Sequence, residues 1–272
     1  MISIRLFIYL LLLVPVHSCG NFRETADEFS EDIQIDTARR PSIDTSRRNI
    51  ILENLFDGEN FMRGFMKGQS CCDYSVQNIN GALRFEVRKD DDMISGSIRS
   101  EITGKGYNDE ERWFGFRIRL EDWVVDDAGE HVIQWHPNDA KGSATMALWT
   151  SSGKYTLVLS PHGNDNRYFE LGPVVPDVDV DFVIHVKWSN KNDGFVEIWK
   201  DGQYITKTMN GKELPYRGIT TWSGCYLKLG INKFGWTYEP SRSESKAKKR
   251  VMYFEEFREG DEKARYEDVA PR

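Results

Sequence analysis

Apolar side chains recur at every second residue along much of this chain, and that period limits what it can fold into. Phe114-Gly115-Phe116-Arg117-Ile118-Arg119-Leu120 alternates strictly, as does Val183-Ile184-His185-Val186-Lys187-Trp188. An extended strand sends successive side chains to opposite faces, so each segment buries one face and leaves the other wet. Phe195-Val196-Glu197-Ile198-Trp199 runs into Lys200-Asp201-Gly202-Gln203, and Asp-Gly suits the positive φ angles of a two-residue hairpin loop. Asn192-Asp193-Gly194 offers a similar turn just before it. Further strands are expected near 82–88, 94–103, 131–136, 145–149, 155–160, 226–232 and 251–258. No long amphipathic helix or internal repeat competes, so the pattern predicts an all-β chain folded as a β-sandwich or jelly roll.

The 272 residues are 39% hydrophobic, enough for one core, and a single β-sandwich of ~200–250 residues is an ordinary size. A formal net charge of -7 argues against nucleic-acid binding, which draws on an accumulated basic surface. An anionic polymer would need a local basic cleft. Arg5 precedes an apolar run from Leu6 to Val16, shorter than the ~20 residues of a membrane span, so residues 1–18 read as an export signal. Val16-His17-Ser18-Cys19 resembles the lipobox of bacterial lipoproteins, with His17 an unusual occupant. That resemblance implies a lipid on Cys19 and a place on the cell envelope; ordinary signal cleavage near Ser18 is the alternative. Residues 19–50 are polar and aperiodic and read as a flexible tether. The sandwich is expected over 51–262, followed by a charged tail over 263–272.

Three strand segments carry the chemistry. Arg99 and Glu101 share a face, opposite Ile98 and Ile102; Gln134 and His136 share one, opposite Ile133 and Trp135. Tyr226, Lys228, Gly230 and Asn232 share one, opposite Leu227, Leu229 and Ile231. Arg-x-Glu, Gln-x-His and Tyr-x-Lys-x-Gly, in that order, resemble the strand motifs of jelly-roll polysaccharide lyases, among them heparin lyase I, glucuronan lyases and one class of alginate lyases. The resemblance covers roughly Phe56 to Gly260 and includes Val186-Lys187-Trp188-Ser189 and the segment from Gly194 to Gly202. It implies a concanavalin-like sandwich with a concave substrate-binding sheet, an acidic polysaccharide as partner, and β-elimination at a uronic acid that leaves an unsaturated sugar end.

Elimination explains why these residue types belong together. The charge of the uronate carboxylate must be dispersed before the weakly acidic C5 proton can leave, and Gln134 and Arg99 suit that task. His136 is the candidate base, since an imidazole with a pKa of ~6.5 is largely neutral at physiological pH. Tyr226 is the candidate proton donor. Glu101, Lys228, Asn232, Lys233 and Trp236 complete the expected substrate-binding set, with Glu101 also suited to orienting Arg99. Asn232 stands where the related lyases usually have a Tyr, and a carboxamide cannot replace a phenol in proton transfer; Tyr226, Tyr238 or Tyr155 would have to supply that group. Thr103 stands where the alginate lyases commonly have a second Arg, which favours a glucuronate- or iduronate-containing polymer.

Two other readings compete: a carbohydrate-binding protein without catalysis on the same sandwich, and a glycoside hydrolase, for which no strand displays the paired acids. Arg242, Lys246, Lys248, Lys249 and Arg250 form a basic stretch able to line a polyanion cleft. His185 and Lys187 read as an outward polar face. Trp135, Trp188 and Trp199 read as core, and Trp222 and Trp236 as stacking candidates. Asp90-Asp91-Asp92 and Asp126-Asp127 read as solvated turns. No metal ligand is identified, although the heparin lyase I resemblance leaves room for a calcium ion. Cys71, Cys72 and Cys225 lack zinc spacing, and export permits a bridge from Cys225 to one of the adjacent pair. The chain is expected to act as a monomer.

Overall fold

The computed structural model describes residues 49–57, 61–139, 142–162, 165–237 and 245–272. Residues 1–18, expected to be an export signal, Cys19, nearly all of the expected 19–50 tether, Tyr238 and Arg242 lie outside the described residues. No helix among the described residues is long and apolar enough to cross a membrane.

Two antiparallel sheets face each other. The first contains β1 (Ile50–Asn54), β2 (Val76–Ile79), β3 (Ala82–Arg88), β5 (Glu111–Glu121), β10 (Asp179–Lys187), β11 (Phe195–Lys200), β12 (Gln203–Tyr204), β13 (Tyr216–Arg217) and β15 (Lys249–Gly260). Its main path runs β12-β11-β10-β5-β15-β3-β2, with β1 pairing β15 and β13 pairing β11. The second contains β4 (Ile98–Tyr107), β6 (Glu130–Pro137), β7 (Met146–Ser151), β8 (Lys154–Leu159), β9 (Arg167–Pro173) and β14 (Cys225–Lys233), in the order β4-β14-β6-β7-β8-β9. Two single-turn helices, α1 (Phe234–Thr237) and α2 (Tyr266–Val269), complete the described elements. This is the expected sandwich.

The alternating apolar residues meet between the sheets. Phe114, Phe116 and Ile118 of β5 bury against a layer that includes Ile133 and Trp135 of β6 and Leu227, Leu229 and Ile231 of β14. A one-residue slip would turn these side chains outward, so burial fixes register and thereby aims the opposite face. The Asp201-Gly202 hairpin forms as expected: Lys200 pairs with Gln203, and both loop residues have positive φ, 50° and 77°.

Several local expectations change. The strand expected from residue 94 starts at Ile98, because Ser95 and Gly96 adopt positive φ in a turn closed by the Ile94–Ser97 bridge. Trp199 lies on the outer face of β11, not in the core; Val196 and Ile198 take the inward positions, and Trp199 packs beside Trp113 and Tyr204. The expected charged tail is docked: Val269 is buried and Arg258 Nη1 donates to the Ala270 carbonyl at 3.1 Å. Cys71 and Cys72 are bonded to each other, and Cys225 is a free, buried thiol facing the core, so the bridge to Cys225 does not form. His185 sits on the outer face of the first sheet between Glu111 and Glu197, and Lys187 pairs with Asp193, in keeping with an outward polar face.

An irregular segment extends the second sheet at its edge. Residues 66–70 run along the free edge of β4, with bridges from Met66 to Thr103 and from Ser70 to Ser100. A Cβ on Gly68 would lie 2.0 Å from the Glu101 carbonyl oxygen, so only glycine allows this approach. The segment thereby delivers Gln69 to the edge of the sheet.

Candidate active site

Register across the second sheet sets out the site in rows. Tyr226 pairs with His136, Lys228 with Gln134 and Thr103, Gly230 with Glu101, and Asn232 with both Arg99 and His131. These strands form one wall of a cleft of about 770 Å³ whose lining includes Arg99, His131, Gln134, His136, Tyr226, Lys228 and Asn232. Arg99, Gln134, His136 and Tyr226, drawn from three strands distant in sequence, are therefore brought together as expected.

His136 is set up to accept a proton. Its Nδ1 lies 3.2 Å from the Pro137 carbonyl oxygen. A carbonyl can only accept, so the ring proton resides on Nδ1 and the Nε2 lone pair is left for another partner. Burial holds the imidazole pKa below its usual 6.5, opposed by the Pro137 contact and assisted by the Lys228 charge. The Tyr226 ring packs 5.4 Å from the imidazole, and burial, followed by the Glu101 carboxylate, pushes its phenol above 10. The base candidate is thus neutral, and the donor candidate protonated, across the same broad pH range. Tyr155, another candidate phenol, is buried in the core.

Glu101 requires a correction. It is 0% exposed and, unlike Gln134 and Lys228, does not line the cleft, so it does not face substrate. Its carboxylate instead gathers the groups above it, accepting from Arg99 Nη1 at 3.3 Å, from Lys228 Nζ at 3.2 Å and from Gln134 Nε2. Gly230 opposite leaves room for this: it has φ 126°, and a Cβ there would lie 2.1 Å from the Ser100 carbonyl oxygen.

Arg99 is also more constrained than a free carboxylate-binding fork. Nε donates to Ser97 Oγ, Nη1 to Gln69 and Glu101, and Nη2 to the Ser95 carbonyl and Ser97 Oγ, which matches the N–H groups a guanidinium has. Arg99 lines the cleft as a fixed positive charge. Lys228 donates to Gln69 at 2.9 Å and to Glu101, leaving one of its three ammonium protons for a ligand. Its side chain is buried. Ser97 Oγ in turn donates to Asn232 Oδ1 at 2.6 Å, which ties Asn232 to the Arg99 support.

Sequence reasoning missed Gln69, His131 and Trp149. By strict alternation His131 shares the inward face of Ile133 and Trp135. The register shift between His131 and Ile133 is a β-bulge at Val132, and it turns His131 into the cleft. There His131 is buried between the rings of Trp149 and Phe234, at 5.2 Å and 4.9 Å, and its Nδ1 has no partner among the described residues. Burial, reinforced by the Arg99, His136 and Lys228 charges, pushes its pKa down to about 3. Only the histidine itself marked the position in the sequence. Gln69 carried no signal, because its segment has no period.

Lys233 and Trp236 do not bind substrate. Lys233 continues β14 on its inward face, is 0% exposed, and pairs with Asp126 at 3.0 Å and with Glu130. Trp236 is 7% exposed and donates to Ser245 Oγ at 2.8 Å beneath the surface. The same buried cluster takes Arg250, 3.5 Å from both Asp126 and Glu130, so this residue of the basic stretch is internal and Asp126 is not a solvated turn. Lys246, Lys248 and Lys249 are exposed and do not line the cleft. Among the described residues the one group able to converge on a metal is Cys71, Cys72 and Asp91. With its sulfurs bonded to each other it offers a single carboxylate, which does not fit the six to eight oxygens of calcium.

A family model described as polysaccharide lyase matches residues 73–258. Among solved structures, an endo-beta-1,4-glucuronan lyase from the fungus Trichoderma reesei superposes with a TM-score of 0.58 at 17% identity, covering 81% of this chain and 98% of its own. An alginate lyase from Pseudomonas aeruginosa superposes with a TM-score of 0.50 at 20% identity, covering 70% and 87%. The binding domain of botulinum neurotoxin serotype C1 superposes with a TM-score of 0.56 at 12% identity, covering 81% of this chain and 50% of that one. At these identities the likeness is one of fold, which hosts more than one function. No protein with a curated description matches the chain.

Proposed function

The chain belongs to the polysaccharide lyase family, and on that premise we propose that it cleaves a uronic-acid-containing polysaccharide by β-elimination. The observation that carries this reading is the His136 imidazole, with Nε2 unprotonated, facing a cleft it shares with Gln134, Lys228 and Arg99. Lys228 and Gln134 meet the carboxylate while Arg99 adds fixed positive charge beside it, dispersing the negative charge that would oppose loss of the C5 proton. His136 Nε2 takes that proton. The C5–H electron pair becomes the C4=C5 double bond, the C4–O bond breaks, and the leaving glycosidic oxygen takes the Tyr226 phenol proton. Glu101, Gln69 and Ser97 act as positioning residues through their hydrogen bonds to Arg99, Lys228 or Gln134.

The chain is inferred to act outside the cytoplasm, an inference supported by the Leu6–Val16 run and the Cys19 context. Loss of lipid labelling on Cys19→Ala would bear it out; an unlabelled parent chain would remove the lipid. Asn232, in place of a phenol, favours one rival reading, a sugar-binding protein that does not cut. A panel of glucuronan, heparin, heparan sulfate, alginate and pectate separates the two. Ultraviolet-absorbing unsaturated ends from a glucuronate or iduronate polymer are expected. Polymer retention without such ends would support the rival, and reducing ends without unsaturation would support hydrolysis.

A further inference from the structure

The cleft does not end at His136. Gly142 and Ser143, which line it, also line a second groove of about 410 Å³ whose walls include Pro137, Thr145, Ser160, His162 and Trp222. Pro137 directly follows His136, so the groove opens from the side of the cleft where the proposed proton transfer takes place. Trp222 reaches it from the loop before β14 and is 60% exposed, with its ring 4.9 Å from that of His162. Large aromatics usually bury most of their area, and Trp222 leaves its indole open to whatever enters the groove. A second observation is independent of the first: the Ser160 hydroxyl is buried and has no hydrogen-bond partner among the described residues. An unsatisfied buried hydroxyl costs free energy that a ligand hydroxyl could recover.

We propose that this groove is a further sugar subsite, in which the indole of Trp222 covers the apolar face of the ring next to the uronate in the cleft and Ser160 pairs with one of that ring's hydroxyls. The proposal rests on the reading of the cleft as a uronate site. It adds that the neighbouring sugar is recognised by its face and its hydroxyls.

The test is calorimetric titration of the full chain carrying His136→Ala, which prevents turnover under the proposed mechanism, with glucuronate and with the β-1,4-linked glucuronate disaccharide. The disaccharide is expected to bind about tenfold more tightly than glucuronate, the gain from covering on the order of 60 Å² of indole. Adding Trp222→Ala should abolish that gain. Adding Tyr204→Ala, at an exposed ring on the first sheet, should preserve it. A Trp222→Ala chain that keeps the gain would overturn the subsite while leaving the cleft reading intact. Failure of both saccharides to bind the parent would overturn the cleft reading and the subsite with it.

Discussion

His131 makes the stability of this fold depend on pH in a calculable way. The ring is buried against Trp149 and Phe234, and its pKa is pushed from 6.5 down to about 3, chiefly by burial. A histidine whose folded pKa lies below its unfolded one leaves the unfolded chain binding more protons, so stability falls as pH drops through 6.5 towards 3 and is flat above that window. At about pH 5 an unfolded histidine favours protonation enough to lower the unfolded state by a factor of about 33, while the buried ring stays neutral. The loss between about pH 8 and pH 5 is then about 2 kcal/mol from this one residue. It does not depend on how far below 4 the buried pKa lies. Urea unfolding of the parent and of His131→Gln at both pH values isolates the effect, because every other titrating group is common to the two chains. With a slope of about 2–3 kcal/mol/M, the parent midpoint should fall by roughly 0.7–1 M more than that of the variant. Equal falls would show that His131 is not held neutral by burial and would refute the placement made by the Val132 bulge.

The pH dependence of turnover should have a broad plateau. Lowering pH protonates His136, so the acidic limb of kcat/KM should lie below 6.5, and the basic limb, set by Tyr226, should lie above 10; an acidic limb well above 6.5 would contradict this. Glu101→Ala should destabilise the fold by about 3–5 kcal/mol in urea unfolding, because Arg99 and Lys228 lose a buried counter-charge, and an unchanged midpoint would place Glu101 at the surface. Lys233→Met should lower the unfolding midpoint by exposing the Asp126–Glu130 pair to mutual repulsion, with saccharide affinity intact for whatever fraction folds. A normal midpoint with lost affinity would return Lys233 to the binding set.

The sandwich was legible because burial on one face leaves a period of two in the sequence, and the same parity aligned Arg99, Gln134, His136 and Tyr226 on one wall. Parity also puts Lys233 on the inward face with Leu227, Leu229 and Ile231, against the expectation raised by its charge; what the sequence hid was Asp126 and Glu130 waiting for it there. His131 was missed because the bulge at Val132 breaks parity, and neither Val132 nor its two neighbours is a glycine or proline that would announce it. Glu101 has the parity of a cleft residue yet does not line the cleft, because depth depends on how Gln69, Lys228 and Gln134 close over it. Gln69 itself comes from a segment whose position is fixed by edge pairing and by Gly68, neither of which has a sequence period.

The most direct test is the rate at which His136→Ala produces unsaturated ends from the polymer that the parent cleaves, with the unfolding midpoint of both chains measured alongside. Loss of a general base predicts a fall of about 10²–10⁴-fold with the midpoint retained. A folded His136→Ala chain that turns over at the parental rate would contradict the assignment of His136 as the group that takes the proton.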